Sequence, residues 1–180
     1  MLGIDVGVAG AIAILDGDTD ELVDVFDMPV DKVSVAGKVR SRIARRALLD
    51  ILLRVKRASA FIEQPEYRPM KGTNKATGQT VVRQMGVSGA GHFGESYGTV
   101  LMACTAADIS LTEIRPGQWK RPMSVSSSKD DARRRALELF PVHASLFARK
   151  MDDGRAEAVL LGLYACRIIR GGHLAAITAA

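Results

Sequence analysis

Apolar and polar residues alternate from the second position, Leu2, Ile4 and Val6 against Gly3, Asp5 and Gly7, with the period of a half-buried strand. A second apolar run, residues 11–15, follows a glycine-bearing turn, so the two predict a hairpin. Residues 22–28 alternate again and stop at Pro29, which completes a three-strand antiparallel meander. The period then changes. Ile43, Ala47, Leu48, Ile51, Leu52 and Val55 recur at helical spacing with Arg and Lys between them, predicting an amphipathic helix over 40–57. Residues 59–62 predict a short strand running into Glu63-Gln64-Pro65. Residues 66–78 are polar and basic with Gly and Pro, the composition of a loop that is mobile without a ligand.

Residues 79–107 read as helical despite several glycines. Gly94 and Gly98, four apart, predict a face that packs closely on another helix. Residues 111–114 form another strand, stopped by Arg115-Pro116-Gly117. Residues 118–128 read as a loop with Trp119, Lys120 and Arg121, ending in serines. Ser128 with Asp131 has capping-box spacing and opens a helix that runs to about Phe140 before Pro141. Residues 153–170 form a last, strongly apolar helix. The order βββ-α-β-α-β-α-α is an α/β arrangement, an antiparallel meander followed by βα units around a mixed five-stranded sheet.

At 180 residues the chain is expected to be a single domain over 1–180. Its 47% hydrophobic and 25% charged residues are an ordinary globular balance. No apolar run has the length of a membrane span, and the first residues show no basic region of a signal peptide. Cys104 and Cys166 lie in apolar helical contexts, as reduced core thiols of a cytoplasmic protein do. No Cys/His cluster has zinc spacing, and His92, His143 and His173 are scattered. Charge is uneven along the chain. Residues 1–31 hold eight acids and no Lys or Arg, residues 32–57 nine bases against one acid, and residues 115–150 nine bases against three. Basic blocks on both sides of an acid-bearing strand point to a polyanionic partner, and the net charge of +5 agrees.

Acids at the edges of apolar elements carry the candidate chemistry. Asp5 interrupts the first strand, Glu63 ends the strand 59–62, and Asp153 and Glu157 open the last helix. Residues four apart share a helix face, so Asp153 and Glu157 can converge; Asp152, five before Glu157, points elsewhere. A buried carboxylate is costly alone, and gathered carboxylates repel. Magnesium or manganese relieves both costs, and two such ions can clamp the attacking and leaving oxygens of a phosphodiester displacement. A phosphate loop of the sugar-kinase kind is an alternative on Asp5-Val6-Gly7 and Gly10, but the chain is short for two such lobes and shows no second phosphate motif.

The chain resembles the RuvC-type Holliday junction resolvases of the RNase H-like superfamily, and among them the phage-type members. The resemblance rests on Leu2-Gly3-Ile4-Asp5-Val6-Gly7, Phe61-Ile62-Glu63-Gln64, Gly91-His92-Phe93-Gly94-Glu95-Ser96-Tyr97-Gly98 and Pro116-Gly117-Gln118-Trp119-Lys120. It continues in Ser128-Lys129, in Arg135-Ala136-Leu137-Glu138-Leu139-Phe140-Pro141 and in Asp153-Gly154-Arg155-Ala156-Glu157-Ala158. It implies an RNase H-like fold, a homodimer, and cutting of branched DNA with two Mg2+ ions (Mn2+ substituting) to leave 5′-phosphates. It puts Asp5, Glu63, Asp153 and Glu157 on the family's acidic tetrad. The bacterial members usually end with two Asp residues three apart, where this chain has Gly154 and Glu157, so Asp153 and Asp152 both stand as the third acid.

The resemblance also implies an aromatic wedge on the loop after Glu63, here Tyr67 beside Arg68 and Lys71. Lys120 and Lys129 are expected to contact phosphate, Lys129 stabilising developing charge. Arg40, Arg42, Arg45 and Arg46 are expected to guide duplex arms. Two further readings remain: an RNase H-like nuclease for RNA–DNA hybrids, and a non-catalytic junction binder whose tetrad has drifted at Glu157.

Overall fold

The structure is a computed structural model that describes residues 1–35, 37–55, 58–65, 70–73, 77–83, 86–126 and 128–178. The meander forms as the alternation predicts: β1 (Leu2–Asp5), β2 (Ala11–Leu15) and β3 (Leu22–Asp27) pair antiparallel. Two more strands, β6 (Ser59–Glu63) and β9 (Ser110–Ile114), join parallel to β1. The order β3-β2-β1-β6-β9 makes one mixed five-stranded sheet with β1 at its centre.

The pleat divides β1 between two cores. Leu2 and Ile4 join Ile12, Ala60 and Ile62 under two helices, α1 (Arg45–Leu52) and α2 (Val87–Ala106), which contribute Leu48, Leu52, Val100 and Cys104. The opposite face takes Ala11, Ala13 and Phe61 against α5 (Asp153–Thr178), with Trp119 of the short α3 (Pro116–Lys120) and Ala132 and Ala136 of α4 (Lys129–Leu139). Gly3 lies on that second face. A Cβ there would stand 2.1 Å from the Ala158 carbonyl oxygen and 2.3 Å from the Gly162 nitrogen, so α5 rests on bare strand backbone. Both cysteines are free and buried, as expected. Among the described residues no helix is long and apolar enough to cross a membrane.

Five local expectations are corrected. The predicted helix over 40–57 is confined to Arg45–Leu52, because residues 30–43 form a separate antiparallel ribbon, β4 (Val30–Val35) and β5 (Lys38–Ile43). Gly37, at φ 74°, supplies the left-handed turn between them. Arg40 and Arg42 are therefore strand residues. The predicted loop and the start of the next helix contain a second hairpin, β7 (Met70–Thr73) with β8 (Thr80–Arg83). The loop 118–128 begins inside α3. Ser128 makes no side-chain cap; Asp131 instead accepts a hydrogen bond from the Ser126 hydroxyl. The glycine face of α2 also differs from expectation, since a Cβ on Gly94 or Gly98 would meet nothing within 4 Å.

Candidate active site

Because side chains alternate along a strand, Asp5 shares the face of Gly3, and Glu63 shares that of Phe61, so both acids turn toward α5. Each ends its strand, at the carboxyl end of the parallel pair β1–β6. The first turn of α5 brings Asp153 and Glu157 above them. Asp5, Asp153 and Glu157 line one cleft of about 780 Å³. The Asp5 carboxyl is held well above the usual carboxylate range by burial first, then by the charges of Glu157 and Glu63, with Lys120 opposing. Burial likewise raises Glu63, against the pull of Lys120 and of a hydrogen bond from Trp119 Nε1 to its Oε2 at 2.8 Å.

Lys120 does more than border this group. Its Nζ donates to Glu157 Oε2 at 2.9 Å and lies 3.6 Å from Glu63 Oε2, with only 17% of the side chain exposed. It also sits 5.2 Å from the centroid of the Trp119 ring. Burial would lower its pKa, but Glu157 and Glu63 together hold it above the ordinary lysine value. One ammonium thus serves several carboxylates and leaves an excess of negative charge that hard cations with oxygen ligands fit. Among the described residues no three acid, His or Cys side chains stand ready-made around one ion, and Lys120 reaches two of the acids.

The neighbouring acids at the start of α5 separate cleanly. Asp152 is buried, accepts the Arg149 backbone N–H at 2.8 Å and is held by the Arg149 guanidinium at 2.7 Å. It closes the turn before α5 and does not line the cleft; Asp153 does. Gly154 explains why the first acid stands four residues before Glu157. A Cβ on Gly154 would lie 2.4 Å from the Ala9 carbonyl oxygen and 3.1 Å from Asp5 Oδ2, so no side chain fits there.

The predicted basic residues are spread more widely. Arg40 and Arg42 line the same cleft as Asp5, Asp153 and Glu157, with His92 of α2. Arg42 and Arg45 lie 3.4 and 3.3 Å from Glu95, and Arg46 lies 3.0 Å from Asp50. Tyr67 and Arg68 fall outside the described residues. Lys71 lies on β7 and Lys129 opens α4, but their side chains also fall outside the description. Sequence reasoning missed Trp119 as the support of Glu63, although a single Trp beside Lys120 was a visible signal. It also missed His92 and Glu95; the arginine partners of Glu95 lie some fifty residues away, where no local pattern reaches.

No protein-family profile matches the chain, and no curated protein matches it. Solved structures do. A Thermus thermophilus RuvC in complex with a Holliday junction substrate superposes with a TM-score of 0.57 at 14% identity, covering 91% of this chain and 92% of that one. Another Thermus thermophilus RuvC structure gives a TM-score of 0.51 at 16% identity, covering 91% and 93%. With the acids at the carboxyl ends of β1 and β6 and at the start of α5, the chain has the RuvC-type, RNase H-like fold.

Proposed function

We propose that the protein is a metal-dependent endonuclease that cuts four-way and other branched DNA junctions, leaving 5′-phosphates, as a homodimer with one site per copy. The convergence of Asp5, Glu63, Asp153 and Glu157 from separate elements on one end of the sheet carries this reading. The likeness to a RuvC bound to a Holliday junction supports the choice of substrate. The open space at Gly94 and Gly98 of α2, where an added Cβ would meet nothing within 4 Å among the described residues, supports an interface between copies.

These acids would hold Mg2+ or Mn2+, two ions in all, which supply Lewis acidity and a nucleophilic water at neutral pH. The chain's own residues do the rest. Trp119 fixes the Glu63 carboxylate through its indole N–H. Lys120 steadies Glu63 and Glu157, and with cations on those acids its ammonium would be free to meet a phosphate oxygen. Lys129, at the N-terminus of α4, is placed in sequence to meet a phosphate where the helix dipole also favours an anion.

The decisive experiment is cleavage of a labelled immobile junction, its linear duplex and an RNA–DNA hybrid, with magnesium, with manganese and with chelator. Paired nicks in the junction alone, dependent on metal and abolished by Asp5→Asn with binding retained, are the expected result. Preferential cutting of the hybrid sinks the junction reading. The Lys120 bridge favours one rival, a junction binder whose tetrad is neutralised from within; tight binding with no cutting in either metal would establish it.

A further inference from the structure

The first turn of α5 carries a second feature beside its acids. Asp153 and Glu157, four apart, share a side of the helix; Arg155, two from each, leaves on nearly the opposite side. There its guanidinium meets Asp27, the last residue of β3, across 128 positions of sequence. Nε donates to Asp27 Oδ1 and Nη2 to Oδ2, both at 2.6 Å. Only 21% of the Arg155 side chain is exposed. The bond holds the Asp27 carboxyl below the ordinary carboxylate value. Asp152 flanks the same guanidinium at 3.9 Å.

Asp27 is tied to the site through the sheet. Asp5 pairs with Ala11 on β2, and Ala11 pairs with Asp27 on β3, so the three form one row across the strands. Residues paired directly across strands share a face, so Asp27 and Asp5 both stand on the α5 side, roughly 10 Å apart. The Met28 N–H donates to the Gly10 carbonyl at 2.9 Å and fixes the end of that row. The first turn of α5 touches both ends of it. An added Cβ at Gly154 would come 3.1 Å from Asp5 Oδ2 at one end, and Arg155 closes on Asp27 at the other.

Opposing demands meet in that turn. Glu157 and Asp153 bring negative charge toward the buried Asp5, and like charges repel. The backbone contact at Gly154 allows a close approach but offers no side chain that resists rotation of the helix. A bidentate arginine–carboxylate pair fixes direction as well as distance. We infer that Asp27 and Arg155 are positioning residues: their ion pair holds the first turn of α5 in the orientation that keeps Asp153 and Glu157 facing Asp5 for divalent cations. Neither side chain lines the cleft, so both act through the backbone of α5. The inference rests on the nuclease reading of the acids and adds the device that orients two of them.

The full chain is titrated with Mn2+ by calorimetry without DNA, melted in chelator, and assayed for kcat and KM on the four-way junction. Asp27→Asn removes the charge, and Arg155→Lys keeps the charge but loses the bidentate geometry. Each is expected to weaken Mn2+ binding about tenfold and to lower kcat while KM for the junction stays at the wild-type value. The Asp27 side chain is 64% exposed, so the pair contributes little to global stability, and melting in chelator should move by at most about 3 °C. Combining the two substitutions should cost no more than either alone. Asp152→Asn is the comparison, since it loosens the neighbouring turn and should keep wild-type Mn2+ affinity. Wild-type Mn2+ affinity in either single variant, an equal loss in Asp152→Asn, or additive losses in the pair would each overturn the inference and leave the nuclease reading standing. A wild-type protein that binds no Mn2+, or binds it equally well after Asp5→Asn, removes the nuclease reading and this inference with it.

Discussion

At Asp152 the carboxylate accepts both the backbone N–H and the guanidinium of Arg149, and Arg155 stands 3.9 Å away. The hydrogen bonds from Arg149 hold its pKa below the ordinary carboxylate value despite burial. A lowered folded-state pKa contributes stability that is complete above the unfolded value and is lost as pH falls through the folded one. Asp152→Asn is therefore expected to cost about 1–2 kcal/mol near neutral pH, discounted because Arg149 is largely exposed. Its melting temperature should approach that of the wild type as pH falls to about 3. A gap that stays constant from neutral to acid pH would show that packing, not charge, is what the substitution removes. Asp153, one residue on, lines the cleft, so Asp152→Asn should leave metal binding intact.

At the scale of elements, the seating of α5 on the sheet sets where every acid points. Gly154, Ala158 and Gly162 recur four apart along α5, and added Cβ atoms at the two glycines would strike the β1–β2 turn, Leu15 and Gly3. Gly154→Ala gains helix propensity of about 0.5–1 kcal/mol but meets the Ala9 carbonyl, and overpacking against backbone costs about 1–3 kcal/mol. Net destabilisation is expected, with loss of cutting as Glu157 shifts from Asp5. Gly171→Ala, farther along the same helix and with nothing within 4 Å among the described residues, should instead raise stability by about 0.5–1 kcal/mol. Thermal melts that move both variants in one direction would refute this account of the packing.

The same scale separates what the chain made legible from what it did not. Alternation in residues 2–7, the apolar run 11–15 and the run before Glu63 were strong because these strands are buried on both faces. The acids at those ends were readable for the same reason, since a carboxylate stands out against such a run. The β4–β5 ribbon was not readable. Its strands are largely exposed and carry several charges, and Ile43 fits a helical pattern as well as the end of a strand. Lys120 stood out as an expected phosphate contact, but its bridge between Glu63 and Glu157 depends on α3 meeting α5, a tertiary fact with no local signature.

For the molecule as a whole, the fold carries an electrostatic load at its own centre. Asp5 ends the central strand of the sheet, where burial and the charges of Glu157 and Glu63 all resist its ionisation. A raised folded-state pKa means that destabilisation begins as pH rises past the unfolded value and is complete above the folded one. Without metal near neutral pH, Asp5→Asn is therefore expected to melt higher than the wild type, by a few degrees for a chain of about this size, and the two should converge in acid. Divalent ion is expected to reverse the order. Binding to the folded state alone adds RT ln(1 + [L]/Kd), about 2.7 kcal/mol at a hundredfold excess over Kd, and only the wild type has the full set of acids to receive it. Magnesium and manganese titrations followed by calorimetry and thermal melts, with chelator as the baseline, should show the two melting curves crossing. Equal stabilisation of both proteins by metal would put the ion elsewhere. A metal-free Asp5→Asn protein less stable than the wild type would mean that Asp5 is held by bonds whose worth exceeds the cost of its charge.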